Sequence, residues 1–226
     1  MQSYQLVEAT TVDARENSDA DIVRLHVSNF TIASEHLSAA FSQDPLISYY
    51  MPRNAAAKQK TLKHLGAAFL NFARLYGHIY TTAGEPKGVA IWLPPEAANL
   101  TFAKLRQAFT SGLAISPIYL PWTRIIDFLV LMYKENQLHH QLCPEPHWYL
   151  GMLGVSPQCQ GQGIGGKLLQ PVLAEADSTQ LPCYLETTTT SAVRFYQRQG
   201  FEVVYQDRFA DRDFWAMKRY PKHRES

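Results

Sequence analysis

Four glycines fall within six positions, Gly161, Gly163, Gly165 and Gly166, inside the run Val155-Ser-Pro-Gln-Cys-Gln-Gly-Gln-Gly-Ile-Gly-Gly-Lys-Leu168. A strand-like segment, His147–Val155, precedes this run, and a helical pattern over Gly161–Ala176 contains and follows it. Glycines at a helix start leave backbone N–H groups uncovered and let an anion approach closely. The positive end of the helix dipole favours negative charge at the same place. The segment therefore predicts an anion site, and a pyrophosphate fits it.

Three phosphate-binding patterns share these letters, so the flanking residues must choose between them. Gly161-x-x-x-x-Gly166-Lys167 nearly spells a P-loop, but Leu168 stands where Ser or Thr would hold magnesium. Gly161-x-Gly163-x-x-Gly166 spells a dinucleotide fingerprint, with Glu186 standing 20 residues after Gly166. That motif needs its first glycine at the strand end, whereas five residues separate Val155 from Gly161. About 60 residues follow the loop, too few for the rest of a doubly wound sheet, and the last strands read as antiparallel. The pattern Gln160-x-x-Gly163-x-Gly165 remains.

The surrounding chain reads as a mixed α/β domain. A strand over Ile22–Val27 leads to a helix over Ile32–Phe41 that ends near Asp44–Pro45. Leu62, Leu65, Phe69, Phe72 and Leu75 recur at helical spacing within Ala55–Tyr76, and Gly77 follows as a C-cap. His78–Thr82 and Gly88–Leu93 form a hairpin. Residues 96–146 suggest two helices, Phe102–Ser111 and Pro121–His139. From His147 the order is β-α-β-α-β-β, with the later elements at Cys183–Thr187, Ala192–Gln199, Glu202–Gln206 and Asp213–Lys218.

The block from Trp148 to about Tyr205 resembles the core of the GNAT superfamily of N-acetyltransferases, and more narrowly the puromycin N-acetyltransferase group. The pieces that carry the likeness are Trp148-Tyr-Leu, Gly154-Val-Ser-Pro, Gln160-Gly-Gln-Gly-Ile-Gly, Leu181-Pro, Tyr184-Leu-Glu-Thr187 and Phe195-Tyr-Gln-Arg-Gln-Gly-Phe201-Glu-Val. Asp44-Pro45 after the first helix also fits. The resemblance implies one domain over 1–226, with a central, mostly antiparallel, splayed sheet flanked by helices. In that scheme 1–20 is a tail, 96–146 a helical insertion on the acceptor side before the fourth strand, and 147–220 the acetyl-CoA-binding core. It also implies that Leu153, Gly154 and Val155 bond to the pantetheine of acetyl-CoA like an added strand. The pyrophosphate would then lie on the backbone of Gln160, Gly161, Gln162, Gly163, Ile164, Gly165, Gly166 and Lys167.

By the same resemblance, Tyr196 stands where the family places its general acid. Relatives carry a glutamate on the strand before the loop, but His147–Val155 holds no carboxylate. Glu186 on the next strand is the first candidate for the base and His147 the second, the latter also readable as a surface histidine at a strand start. His139 and His140 read as helix-end residues. Thr189 takes the place of an asparagine that often touches the cofactor in relatives. Tyr49, Tyr50, Tyr119, Trp122 and Tyr133 are candidates for lining an acceptor pocket. The acceptor implied is a primary amine of a small molecule. A non-catalytic acyl-CoA-binding sensor or structural protein is the alternative, and a protein acetyltransferase a third.

Composition narrows the rest. Lys and Arg number 21 against 20 Asp and Glu, a balance with no general pull toward nucleic acid or membrane. The expected partners are a small-molecule amine and, as an open matter, a second copy in a homodimer, without nucleic acid or membrane. Three widely spaced cysteines, Cys143, Cys159 and Cys183, suggest neither a disulfide framework nor a metal site. A catalytic thiol at Cys159 lacks a motif pairing it with a histidine. The polar residues 1–21 do not read as a signal peptide, so the expected compartment is cytoplasmic.

Overall fold

The computed structural model describes residues 21–97, 110–112 and 119–222. The predicted tail 1–20 and most of the predicted helix Phe102–Ser111 lie outside these residues.

The strands are β1 (Ile22–Arg24), β2 (Ile79–Thr82), β3 (Gly88–Leu93), β4 (Trp148–Val155), β5 (Cys183–Thr187), β6 (Glu202–Phe209) and β7 (Arg212–Arg219). They form one sheet in the order β1-β2-β3-β4-β5-β7-β6. Every neighbouring pair is antiparallel except β4 and β5, which run parallel. The helices are α1 (Phe30–Phe41), α2 (Pro45–Tyr50), α3 (Ala55–Ala73), α4 (Trp122–Leu142), α5 (Ile164–Thr179) and α6 (Thr190–Arg198).

Side-chain alternation along the strands assigns each helix to a face. Trp92, Leu150, Leu185 and Met217 pack with residues of α5 and α6. On the opposite face, Val89 and Ile91 pack with α1 and α3, while Tyr184, Phe214 and Ala216 pack with α2 and α4. Tyr149 touches both of these clusters.

The expected splay is present, and its origin is local. β4 and β5 pair only through Trp148 with Cys183 and Tyr149 with Tyr184. Two residues later β4 departs from regular pairing: Ile91 opposes Met152 and Trp92 opposes Leu150, leaving Gly151 unpaired against β3. Such a bulge bends a strand and increases its twist. Gly151 suits this place because a Cβ there would come within 2.6 Å of the Phe69 ring on α3. From Leu150 onward β4 pairs with β3 alone, and from Leu185 onward β5 pairs with β7 alone.

Several expected boundaries shift for reasons of capping. Strand β1 stops at Arg24, and a 3-10 turn at Val27–Asn29 feeds α1. Pro45, expected to terminate a helix, instead starts α2. Asp44 caps that helix, its Oδ1 accepting from the Ile47 N–H at 2.8 Å, and a proline suits the first helical position. The predicted helix ending at Tyr76 stops at Ala73. Helix α5 begins at Ile164 rather than Gly161, because Gly161 and Gly163 take left-handed φ values of 78° and 76°. Both final strands run longer than expected, to a turn in which Ala210 and Asp211 also take positive φ.

Candidate active site

The parallel strands β4 and β5 end at the same edge of the sheet, and the candidate residues gather there. On the β4 side, Leu153, Gly154 and Val155 pair with Ala90, Val89 and Gly88 of β3. The side of these residues that faces β5 has no strand partner among the described residues. The chain then makes a 3-10 turn over Pro157–Cys159, and the Gln160 side chain folds back to donate to the Val155 carbonyl at 3.2 Å.

The glycines after Gln160 divide into two kinds. Gly161 and Gly163 are required by backbone conformation, since left-handed φ costs a side-chain-bearing residue roughly 1–2 kcal/mol. Gly165 and Gly166 sit in close packing: a Cβ would come within 3.2 Å of Phe195 and 3.3 Å of the end of the Gln199 side chain, on and just beyond α6. Gly163 is the N-cap of α5 and provides no side-chain acceptor. Among the first four helical N–H groups, that of Lys167 reaches the Gly163 carbonyl, at a long 3.2 Å. Those of Ile164, Gly165 and Gly166 precede any i−4 acceptor in the helix. Gln162 is exposed in the turn, whereas the Ile164 side chain is buried in the core, so that residue offers only its backbone.

On the β5 side, alternation points Glu186 to the face covered by α2 and α4, the same face as Tyr184. Burial pushes the Glu186 carboxyl up to about 7, while the neighbouring Tyr149 and Tyr184 phenols pull the other way. The Tyr184 hydroxyl is buried without a partner in hydrogen-bonding geometry. A second carboxyl comes from α4. Glu135 is raised to about 8, first by burial and then by the charge of Glu186. The sequence reading missed Glu135. Its signal is its place in the inward stripe of α4, where it follows Leu131 by four residues and precedes Leu138 and Leu142. A carboxylate on an apolar helix face is a candidate for function.

The histidines resolve differently from expectation. His147 is 3% exposed, which overturns its reading as a surface residue. Its Nδ1 lies 2.6 Å from the Glu145 carbonyl and its Nε2 lies 2.6 Å from His139 Nε2. Burial lowers the pKa of both rings, that of His139 to about 3, so both are neutral. The carbonyl needs a donor, so His147 carries its proton on Nδ1 and accepts from His139 at Nε2. With its lone pair engaged, His147 is a poor base. His139 does sit in the last turn of α4 with His140, but its ring stacks on Tyr184, with centroids 4.4 Å apart and planes at 7°.

Tyr196 lies on α6 and is 8% exposed, with its ring packed edge-on to Phe195 and Phe201. Burial raises its pKa, so the phenol is neutral throughout the physiological range. Thr189 is the N-cap of α6 and accepts from the Ala192 N–H at 3.3 Å, so its hydroxyl already has a structural task. Thr188 donates to Asp44, which ties the end of β5 to the start of α2. Of the candidate pocket aromatics, Tyr49 and Tyr119 line cavities. Tyr50 does too while being mostly core, whereas Trp122 and Tyr133 are 82% and 64% exposed. Cys159 is half-buried, and burial pushes the Cys143 and Cys183 thiols up to about 12.

Residues 123–203, which span α4 to the start of β6, match a family model described as the acetyltransferase (GNAT) domain. That stretch is similar to a GNAT acetyltransferase domain. The chain is 25% identical over 192 residues to an uncharacterized N-acetyltransferase of Schizosaccharomyces pombe, covering 81% of this chain and 74% of that one. Among solved structures it resembles one of a histone acetyltransferase and related acetyltransferase from Corynebacterium glutamicum, at 21% identity and a TM-score of 0.60, with 92% and 99% of the two chains covered. It also resembles a polyamine N-acetyltransferase of Drosophila melanogaster that catalyses the formation of N-acetylagmatine. That likeness has 16% identity and a TM-score of 0.55, covering 89% and 100% of the chains. The splayed sheet and its helices are those of the GNAT fold.

Proposed function

We propose that this acetyltransferase moves the acetyl group of acetyl-CoA to a primary amine of a small molecule, by direct attack of the amine on the thioester. The observation that carries the reading is the opening between β4 and β5, with the glycine turn at one side of its mouth and a buried carboxyl at the other. Acetyl-CoA would supply the activated acyl group. The residues present suit its parts. The unpartnered side of Leu153–Val155 offers peptide groups to the pantetheine amides. The free N–H groups at the start of α5, with Gln160, Gly161, Gln162, Gly163, Gly165, Gly166 and Lys167 around them, offer a cradle to the pyrophosphate.

The amine must attack as the neutral base. Glu186, with a pKa of about 7, is tuned to hold the proton that the amine loses. The N–C bond forms, the C–S bond breaks, and the leaving thiolate needs a proton. The neutral, buried Tyr196 phenol is suited to donate a hydrogen bond toward that sulfur. Its raised pKa opposes full ionisation, so stabilisation by the hydrogen bond is the larger part of its role. Helix α4, inside the region read as an acceptor-side insertion, adds Glu135 next to Glu186. A small amine is supported by the likeness to the puromycin N-acetyltransferase group and by the relative that forms N-acetylagmatine.

The test is calorimetric titration with acetyl-CoA, with NAD and ATP as controls, followed by thiol release in the presence of amines. Micromolar binding of acetyl-CoA alone, with amine-dependent release, is expected. Binding without release from any amine would leave an acyl-CoA-binding protein instead, and preference for NAD or ATP would reject the glycine-turn reading.

A further inference from the structure

A cavity of about 960 Å³ opens between α2, the start of α3, the approach to α4 and the β6–β7 turn. Its charge is one-sided. Arg53, Lys58, Arg124 and Arg212 line it, and no carboxylate does among the described residues. Arg124 has an ion-pair partner, Asp127 at 3.5 Å. The other three cations have no acid partner among the described residues. Lys58 donates to the Ser42 carbonyl at 2.6 Å and to Ser48 Oγ at 2.9 Å, and Arg212 donates to the Pro45 carbonyl at 3.2 Å. The guanidiniums of Arg124 and Arg212 both lie against the Tyr49 ring, 3.9 and 4.3 Å from its centroid. Contact with one aromatic holds together two planar cations that would otherwise repel each other. Arg124 also donates through Nη1 to the Tyr49 hydroxyl and Arg212 through Nη1 to the Ala210 carbonyl, which leaves the Nη2 group of each guanidinium for an oxyanion.

The position of this cavity links it to the chemistry. Trp215 on β7 pairs with Thr187, the last residue of β5. Arg212 therefore stands three residues beyond the end of β5, at the edge where β4 and β5 diverge. Thr188, just past β5, holds Asp44 and with it α2, the helix that carries Tyr49. Tyr49 also lines a smaller cavity of about 290 Å³ together with Tyr50, Leu131 and Phe209. On the same face, the site presents acid at Glu186 and Glu135, while this neighbouring cavity presents base.

We infer that the amine acceptor carries an anionic group, a carboxylate or a phosphate, which seats among Arg53, Arg212 and Arg124 while its amine is presented to Glu186. The inference rests on the acetyl-transfer reading and narrows its substrate class. It runs against a plain polyamine, whose second cation would meet the guanidiniums. Charge-assisted bonds to an oxyanion are short and strong, and a charge of the wrong sign in the same place is a penalty that discriminates between substrates.

The experiment compares amines of matched length: an ω-amino carboxylate and an amino phosphate, the corresponding amino alcohol, and the corresponding diamine. Each is followed by thiol release from acetyl-CoA. The anionic amines should exceed the amino alcohol at least about tenfold in kcat/KM, a difference of roughly 1.4 kcal/mol, with the diamine lowest. Arg53→Gln removes an exposed side chain without an acid partner among the described residues, so folding should survive. It should compress that preference about threefold to tenfold through the KM for the acceptor, leaving the KM for acetyl-CoA in place, and Arg212→Gln should act in the same direction. A diamine used as well as the anionic amines would overturn the inference. So would an Arg53→Gln effect that falls on the KM for acetyl-CoA, because the cavity would then serve the cofactor's phosphates. Thiol release without any charge preference sinks the inference alone, and no release from any amine sinks the acetyl-transfer reading and the inference with it.

Discussion

The two sides of the opening are built from different materials. The β4–α5 side is made of backbone: unpartnered peptide groups on Leu153–Val155, two left-handed glycines, and a helix start whose side chains, such as Ile164 and Leu168, are buried. The side formed by the end of β5, α2, α4 and the β6–β7 turn is made of side chains: Glu135, Glu186, Tyr49 and a group of arginines. A ligand held by backbone leaves a mark on the sequence, because only glycine permits the required conformation and approach. A ligand read by side chains leaves no fixed spacing, because those residues converge from separate elements.

The sharpest way to break this comparison is on the side-chain half. Glu186→Gln keeps size and polarity but loses the proton acceptor, and should lower kcat/KM by about 10²–10⁴, the usual range for a general base, with the affinity for acetyl-CoA nearly unchanged by calorimetry. Tyr196→Phe should lower kcat at least about tenfold and also leave that affinity nearly unchanged. The reverse pattern is expected on the backbone half. Gly163→Ala forces a side chain into left-handed φ at a strain of roughly 1–2 kcal/mol, and should weaken acetyl-CoA binding up to about tenfold while sparing the pH profile. Equal effects of Gly163→Ala and Glu186→Gln on cofactor affinity would erase the division.

The pH profile sharpens it further. In the proposed reaction Glu186 would act as the carboxylate, so kcat/KM should climb as pH rises through about 7. Glu135 ionises next, at about 8, against the charge already on Glu186. Glu135→Gln should remove this upper step and leave a single rise near 7. Stability moves the opposite way. Both folded-state pKa values lie above those of an unfolded carboxyl, so the unfolded chain ionises first as pH rises. The contribution of these two carboxyls is thus full below about 4.5 and is lost as pH climbs toward 8. Glu186→Gln should therefore raise Tm by a few degrees at pH 8 and have little effect on it at pH 4.5, as scanning calorimetry can show.

The same division explains what was legible in the sequence. Strands β3 and β5 were read to the residue, because Gly88–Leu93 and Cys183–Thr187 are apolar runs between turn residues. The GNAT fold followed from the glycine turn and the elements after it. The start of α5 was misplaced by three residues because spacing does not reveal which glycines take positive φ. The bounds of helix α2 were not legible because Pro45 reads as a stop until Asp44 is seen to cap it. Glu135 was overlooked although its spacing from Leu131 marks the inward face, since a lone acid in a long helix ordinarily faces water. The burial of His147 and its contact with His139 depend on where α4 docks on the sheet, which no local pattern encodes.

The two-rung junction between β4 and β5 has a consequence for the life of the protein without its ligand. Beyond Tyr149 and Tyr184 both strands present bare edges toward each other, in the middle of a sheet rather than at its rim. Bare edges are templates for unwanted strand pairing between molecules, and the gap opens at the bulge where Gly151 is left unpaired against β3. A pantetheine lying along Leu153–Val155 would occupy one of them. A cofactor so placed would act as a removable strand, and the protein without it should be the more aggregation-prone form, with the amides of Leu153 to Val155 among those whose hydrogen exchange slows most when acetyl-CoA is added.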